Sequence, residues 1–212
     1  MSSPQSEGAP SEPEAVPAQT AAAPASAPIP APAPPAAPLS DAERAQALLR
    51  AADLSKGEHL YGVIDAARHL RLAKEAVRLF DQSAATLFEG PLARELQSYG
   101  PLLVPIDPES EYLESWARRW GDNAGILLVA RRDRVSVRAH LREIFVVQDE
   151  TGQEHFFRFY DPRVLRAYLP TCTAEETRTF FGPITRMIVE SADATQILRY
   201  RPGAKGVLTD RF

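Results

Sequence analysis

The side chains with the range to do chemistry in this chain are its four histidines, His59, His69, His140 and His155, its carboxylates Asp65 and Asp161, and its single cysteine, Cys172. Such a set could supply a nucleophile, a general base or metal ligands. Its spacing does not assemble them. No two histidines stand four residues apart, and there is no HExxH, no G-x-S-x-G and no phosphate-binding glycine loop. His140, beside Leu141, reads as a packed or exposed helix residue. Asp65 closes an apolar run and reads either as a catalytic carboxylate or as a helix cap or structural hydrogen-bond acceptor. A lone cysteine excludes an intramolecular disulfide and a cysteine-rich zinc site. The residues therefore call for no catalytic group, no metal and no cofactor. The enzymatic alternative is a small hydrolase or nucleotide-binding enzyme built on Asp65 and His140.

Charged groups gather instead in Glu154 to Pro170, EHFFRFYDPRVLRAYLP. Phe156 to Tyr160 is aromatic and broken only by Arg158, which predicts a strand deep in a sheet. Asp161 has a short carboxylate that accepts backbone N–H groups, and Pro162 has no N–H to lose, so the pair predicts an N-cap and first helical position. Val164, Leu165 and Tyr168 follow at helical spacing. Such a strand feeding a capped helix brings Arg158, Asp161 and Arg163 to one rim. Arg158 has two readings: an internal pair with Asp65 or Asp161, or, with Tyr160 and Arg163, an outward grip on a partner's carbonyl or carboxylate.

The elements that must position these residues follow from period and punctuation. Ser40 and Glu43 match a capping box opening a short amphipathic helix within 39–55, ended by Lys56-Gly57. It either packs on its own domain or docks a partner. His59 to Asp65 predicts a strand, Ala66 to Leu72 a helix, and Val77, Leu79 and Phe80 a continued helical pattern. Leu87 to Pro91 reads as a turn and Leu92 to Gln97 as a short helix. Leu102 to Ile106 reads as a strand that Pro105 confines to an edge or a strand end. Asp107-Pro108 predicts the start of a helix carrying Tyr112, Leu113, Trp116 and Trp120. Ala124 to Ala130 is an uncharged buried strand. Asp133 or Ser136 caps a helix with Val137, Leu141 and Ile144 on one face. A hairpin joins Phe145–Gln148 to Glu154–Tyr160 through Asp149 to Gly152. Thr173 and Glu176 form a second capping box on a helix ending at Phe180 to Pro183. Arg186 to Glu190 and Gln196 to Arg201 are final short strands before a frayed, glycine-rich end. Strands alternating with helices predict a single α/β domain over 58–200, a mixed sheet flanked by helices.

Composition removes the N-terminus from that domain. Residues 1–38 hold 11 of the 19 prolines and no aromatic residue. With too little to bury against an ordering cost of roughly 1–2 kcal/mol per residue, they predict a disordered Pro/Ala-rich tail. Its reach is on the order of 100 Å, as a tether or a proline-motif ligand. Its only charges are Glu7, Glu12 and Glu14, leaving 24 basic against 28 − 3 = 25 acidic residues in the rest. Near-neutrality argues against nucleic acid. No signal-type start and no long apolar run occur, so the expected location is cytoplasmic, without membrane insertion.

An ordered set of pieces carries a resemblance: HLYGVID (59–65), LFEG (87–90), YGPLLVPID (99–107), GILL (125–128), HLREIFVV (140–147), FFRFYDPRVLRAYLP (156–170) and FFGPI (180–184). Over about residues 58–190 the chain resembles the adaptor-chaperone domain of bacterial type VI secretion systems, a domain long catalogued only as of unknown function. The resemblance implies a bacterial cytoplasmic binding protein without catalysis. Such a protein holds an effector's N-terminal region and loads it onto the valine-glycine-repeat spike or its proline-alanine-alanine-arginine tip. It also singles out Tyr61, Asp65, Asp161, Pro162, Phe181, Gly182 and Pro183 as structural motif residues. Members often carry a variable cargo-selecting region after this domain, whereas this sequence ends about 20 residues beyond it.

Overall fold

The computed structural model describes residues 39–80, 84–88 and 99–212. The expected tail over 1–38, the helix at Leu92 to Gln97 and most of the turn before it lie outside those residues. The first helix, α1 (Asp41–Ala52), opens on the expected capping box, with Glu43 N–H donating to Ser40 Oγ at 3.3 Å and Ser40 N–H to Glu43 Oε2 at 2.9 Å. It stops earlier than Lys56-Gly57, because Asp53 adopts the left-handed region (φ 49°) and its N–H returns to the Leu49 carbonyl.

The α/β class is as the sequence predicts, and its centre is β1 (His59–Asp65). Strand β1 pairs on one side with β3 (Pro101–Ile106) and on the other with β4 (Gly125–Ala130). The sheet has seven strands in the order β2-β3-β1-β4-β7-β8-β9, where β2 is Ala85–Thr86, β7 Ile184–Glu190, β8 Ile197–Gly203 and β9 Gly206–Arg211. Every pairing among the described residues is antiparallel, where helix-strand alternation had pointed to a mixed sheet. The reason is the connection after β1. Helix α2 (Leu70–Phe80) and strand β2 lie between β1 and β3 in the chain, and β3 begins with Pro101 directly opposite Asp65. A single helical crossover would instead have delivered a parallel strand. Helix α2 begins four residues later than Ala66, after a turn in which the Asp65 carbonyl accepts from Arg68 and His69 N–H groups.

Both faces of the sheet are covered, which is why its central strands read as unbroken apolar runs. Leu60 and Ile64 of β1, Leu102 and Val104 of β3, and Leu127 and Val129 of β4 point to one face. There they meet Leu48 of α1, Ala73 and Ala76 of α2, and Tyr112, Leu113 and Trp116 of α3 (Tyr112–Ala117). Tyr61, Val63, Leu103, Ile126 and Leu128 point to the other. They pack with Val137 and Leu141 of α4 (Arg134–Glu143), Leu165 of α5 (Pro162–Tyr168), and Phe180 and Phe181 of α6 (Ala174–Phe181). Each buried Val, Leu, Ile or Phe among them contributes about 1.5–3 kcal/mol by leaving water. Pro105 is tolerated in β3 because two-residue β2 pairs only with Leu102 and Leu103, leaving the Pro105 end without a further strand among the described residues.

Three local expectations fail, each for a physical reason. Asp107-Pro108 forms a turn rather than a helix start: the Asp107 carboxylate accepts from Glu109 N–H and its carbonyl from Ser110, and α3 begins only at Tyr112, with no side-chain cap. Phe156 to Tyr160 is not a strand within the sheet. Strand β6 (Glu154–Phe156) is exposed and pairs only with β5 (Val146–Gln148), in a separate hairpin. At Phe157 the ladder ends, and Phe159 N–H bonds back to the Phe157 carbonyl at 2.8 Å in a three-residue turn. That turn drops Phe159 into the core beside Phe180. The frayed end is instead β9, which pairs with β8 from Leu198↔Arg211 to Gly203↔Gly206 across a tight turn at Ala204 and Lys205. Among the described residues no helix is long and apolar enough to cross a membrane.

Candidate functional site

The rim where β1 ends and α5 begins gathers three arginine side chains around two buried carboxylates. Asp65, the last residue of β1, and Asp161, the N-cap of α5, are each 3% exposed. A buried carboxylate is tolerated only when its charge and lone pairs are met. Arg158, carried on the turn after Phe157, donates Nη2 to Asp65 Oδ2 at 2.6 Å and stands 3.9 Å from Asp161. Arg163, in the first turn of α5, donates Nε and Nη2 to the two Asp161 oxygens at 3.0 and 2.6 Å, a bidentate fork, while its backbone N–H bonds Asp161 Oδ1 at 3.0 Å as the cap. Arg68, on the turn after β1, approaches Asp161 at 3.6 Å.

The electrostatics follow from this geometry. Burial opposes ionisation of Asp161, but the hydrogen bonds from Arg163 and the charges of Arg163 and Arg158 outweigh it and hold the carboxyl below the usual range. The Arg163 guanidinium is raised in turn by its bonds to Asp161. Arg158 also lies over the Tyr160 ring, 5.7 Å from its centroid, and burial raises the Tyr160 hydroxyl against the opposing charge of Arg158. Three guanidinium groups face two carboxylates, so the rim carries one net positive charge. The acids are inside, while the side chains of Arg68, Arg158 and Arg163 remain 41%, 46% and 50% exposed.

The sequence-derived residues therefore separate into three places. Asp65, Arg158, Tyr160, Asp161, Pro162 and Arg163 meet at the rim. Tyr61 sits near the other end of β1, with its hydroxyl donating to the Arg132 carbonyl at 3.0 Å. Phe181, Gly182 and Pro183 terminate α6. There Gly182 takes φ +50°, and a Cβ would collide with the His140 ring. His140 Nε2 lies 2.9 Å from the Phe180 carbonyl, and since a carbonyl only accepts, that nitrogen bears the proton. His140 thus braces the end of α6, while Asp65 is engaged by Arg158; the two share no hydrogen bond or ion pair. Cys172 is buried, with its thiol raised by burial.

Sequence reasoning missed Arg68, whose only signal is its place three residues after Asp65. It also missed two networks built on buried acids. Glu58 accepts from Arg186 at 2.8 Å and Thr185 at 3.1 Å. Glu190 accepts from the Gly121 and Asn123 N–H groups at 2.6 and 2.7 Å, tying the turn before β4 to the end of β7. Among the described residues no group of three or more His, Cys, Asp or Glu side chains could hold a metal ion. A cavity of about 610 Å³ between α2 and β2 has Lys74 and Arg138 as its ionisable lining and includes none of the rim residues.

No curated protein and no solved structure matches the chain. One family does, over residues 60–179, a span that takes in β1 through most of α6 and all the rim residues. The chain belongs to the family described as Domain of unknown function (DUF4123).

Proposed function

We propose that this protein is a non-enzymatic adaptor-chaperone of a bacterial type VI secretion system, which binds a secreted effector in the cytoplasm and helps load it onto the valine-glycine-repeat spike or its tip. The observation that carries the reading is the rim. Its two acids are spent internally, and its arginines are pre-positioned by those acids yet half exposed. A guanidinium held by one buried carboxylate and backed by an aromatic ring is already ordered, so a partner's carbonyl or carboxylate meets its remaining donors at little further entropic cost. Arg158, Tyr160 and Arg163 are the interface residues on this reading. The ordered motif set from HLYGVID to FFGPI supports it, since both its terminal pieces are built into architecture: the central strand and the Gly182 helix stop.

Binding by complementary surfaces needs no cofactor and no nucleic acid or membrane partner. The test is co-expression with a spike protein and an effector encoded beside this chain, followed by affinity capture. The reading expects a complex with at least one of them, weakened about tenfold or more when Arg158 and Arg163 are both replaced by Ala, as for interface anchors. Absence of any complex with all three proteins soluble contradicts it.

A further inference from the structure

The β5–β6 hairpin stands outside the main sheet and leaves a strand edge open. Asp149 N–H bonds the Gln153 carbonyl at 3.0 Å and Phe157 N–H the Phe145 carbonyl at 2.8 Å, with Val147 opposite His155 between them. Bonded pairs alternate in an antiparallel ladder, so the N–H and C=O groups of Val146 and Gln148 point away from β6. Among the described residues no other strand pairs with that edge. Val147 is 43% exposed. Beside it opens a cavity of about 340 Å³ walled by Ile144, Val147, Phe157, Tyr168 and Phe180, and its only charged lining is Glu175 and Glu176 of α6. The hairpin adds Asp149, Glu150 and Glu154 and holds no Lys or Arg.

We propose that the β5 edge and this aromatic cavity are a docking site for an extended, lysine- or arginine-bearing segment of a partner protein, which adds as a third strand and places one apolar side chain in the cavity. Strand addition supplies affinity through main-chain hydrogen bonds and specificity through alternate side chains. Charge selects the occupant. A second copy of this chain would bring the acidic hairpin against itself. Residues 1–38 contain glutamates as their only charged side chains and so complement the site poorly. A basic strand neutralises the carboxylates and covers the exposed Val147. This surface shares no residue with the arginine rim and needs the adaptor reading only in that its ligand is a polypeptide.

The test uses the full chain and a fluorescein-labelled peptide, KVKFKVK, with EVEFEVE as control, read by fluorescence anisotropy. Saturable binding of the basic peptide alone is expected. Gln148→Pro removes an outward N–H and should weaken it about tenfold or more. Glu175→Lys, on the exposed helix face, should weaken it about fivefold. Arg118→Ala, at the end of α3, which packs the opposite face of the sheet, should leave it within about twofold. If Gln148→Pro does not fold, Glu175→Lys decides. Equal binding of both peptides, unchanged affinity in folded Gln148→Pro or Glu175→Lys, or a loss in Arg118→Ala overturns the proposal. So does a concentration-dependent dimer, seen by sedimentation, that Gln148→Pro abolishes. A chain that binds KVKFKVK but captures neither spike nor effector keeps this site and loses the adaptor reading; capture without peptide binding does the reverse.

Discussion

Two ion-pair networks on this domain use the same residue types to opposite ends. At Glu58 the acid and its principal partner are both withdrawn from solvent: the Glu58 side chain is 1% exposed and that of Arg186 15%. At the rim the acids are equally hidden, but Arg158 and Arg163 are about half exposed. The first pair is held within the fold and fixes the ends of β1 and β7, with the 73% exposed Arg131 reaching Glu58 only at 3.4 Å from outside. The second fixes the joint between β1 and α5 and still presents cation to the outside. A closed pair spends its charge on architecture, and an open one retains donors for another molecule. That difference, rather than the presence of charge, marks the rim as the candidate interface.

The comparison is broken most severely from the closed side. Glu58→Ala leaves a mostly buried guanidinium whose charge is then met, among the described residues, only by the exposed Asp53 at 3.8 Å, and removing one partner of such a pair costs about 3 kcal/mol or more. Urea denaturation should register that loss, and a stability equal to wild type would mean that Arg186 is solvated without Glu58. Asp161→Ala comes next. It removes a helix cap and the anchor of Arg163, for a loss of about 2 kcal/mol; an unchanged melting curve would remove the cap assignment. Acid sharpens the same contrast. Burial opposes ionisation of Glu58, yet its bonds from Arg186, Ser55 and Thr185 lower it from 4.5 to about 2. Its folded-state pKa lies below the unfolded one, so the associated stability is fully present above pH 4.5 and is lost as pH falls toward 2. Wild type should lose more stability over that window than Glu58→Gln, and parallel pH profiles would contradict the pairing. The smallest effect on folding belongs to Arg163→Ala, under about 1 kcal/mol, because that side chain is half solvated and Asp161 keeps its backbone cap and Arg68. Arg158→Ala costs more, because it leaves the buried Asp65 without its arginine.

Much of the frame was legible in the sequence because it is written locally. Both capping boxes, the Asp133 and Asp161 caps, and the limits of β1 depend on residues within a few positions of one another. What escaped depends on partners far along the chain. FFRFY has the composition of a buried strand, and only its packing against Phe180 turns it into a loop that inserts Phe159 as a knob. Asp107-Pro108 has the same chemistry as Asp161-Pro162, yet the first makes a turn and the second a cap, because the side chains after Pro108 do not reach the core until Tyr112. Strand β9 has little apolar character of its own and exists through its register with β8. At the site, Asp161 with Arg163 was visible at a spacing of two. Arg158 with Asp65 spans 93 positions, so sequence could name it only as one of two choices.

On the proposed function, the rim holds its arginines outward for a protein partner. The most direct test of that reading is quantitative capture of the co-expressed spike protein and effector by wild type, by the Arg158→Ala/Arg163→Ala double variant and by Glu58→Gln. The double variant, in which the buried Asp65 loses its arginine, is expected to be destabilised, with capture by its folded fraction falling about tenfold or more. Glu58→Gln should lose stability and retain capture by its folded fraction. Undiminished capture by the double variant, or equal loss in both, would contradict the assignment of the rim as the interface.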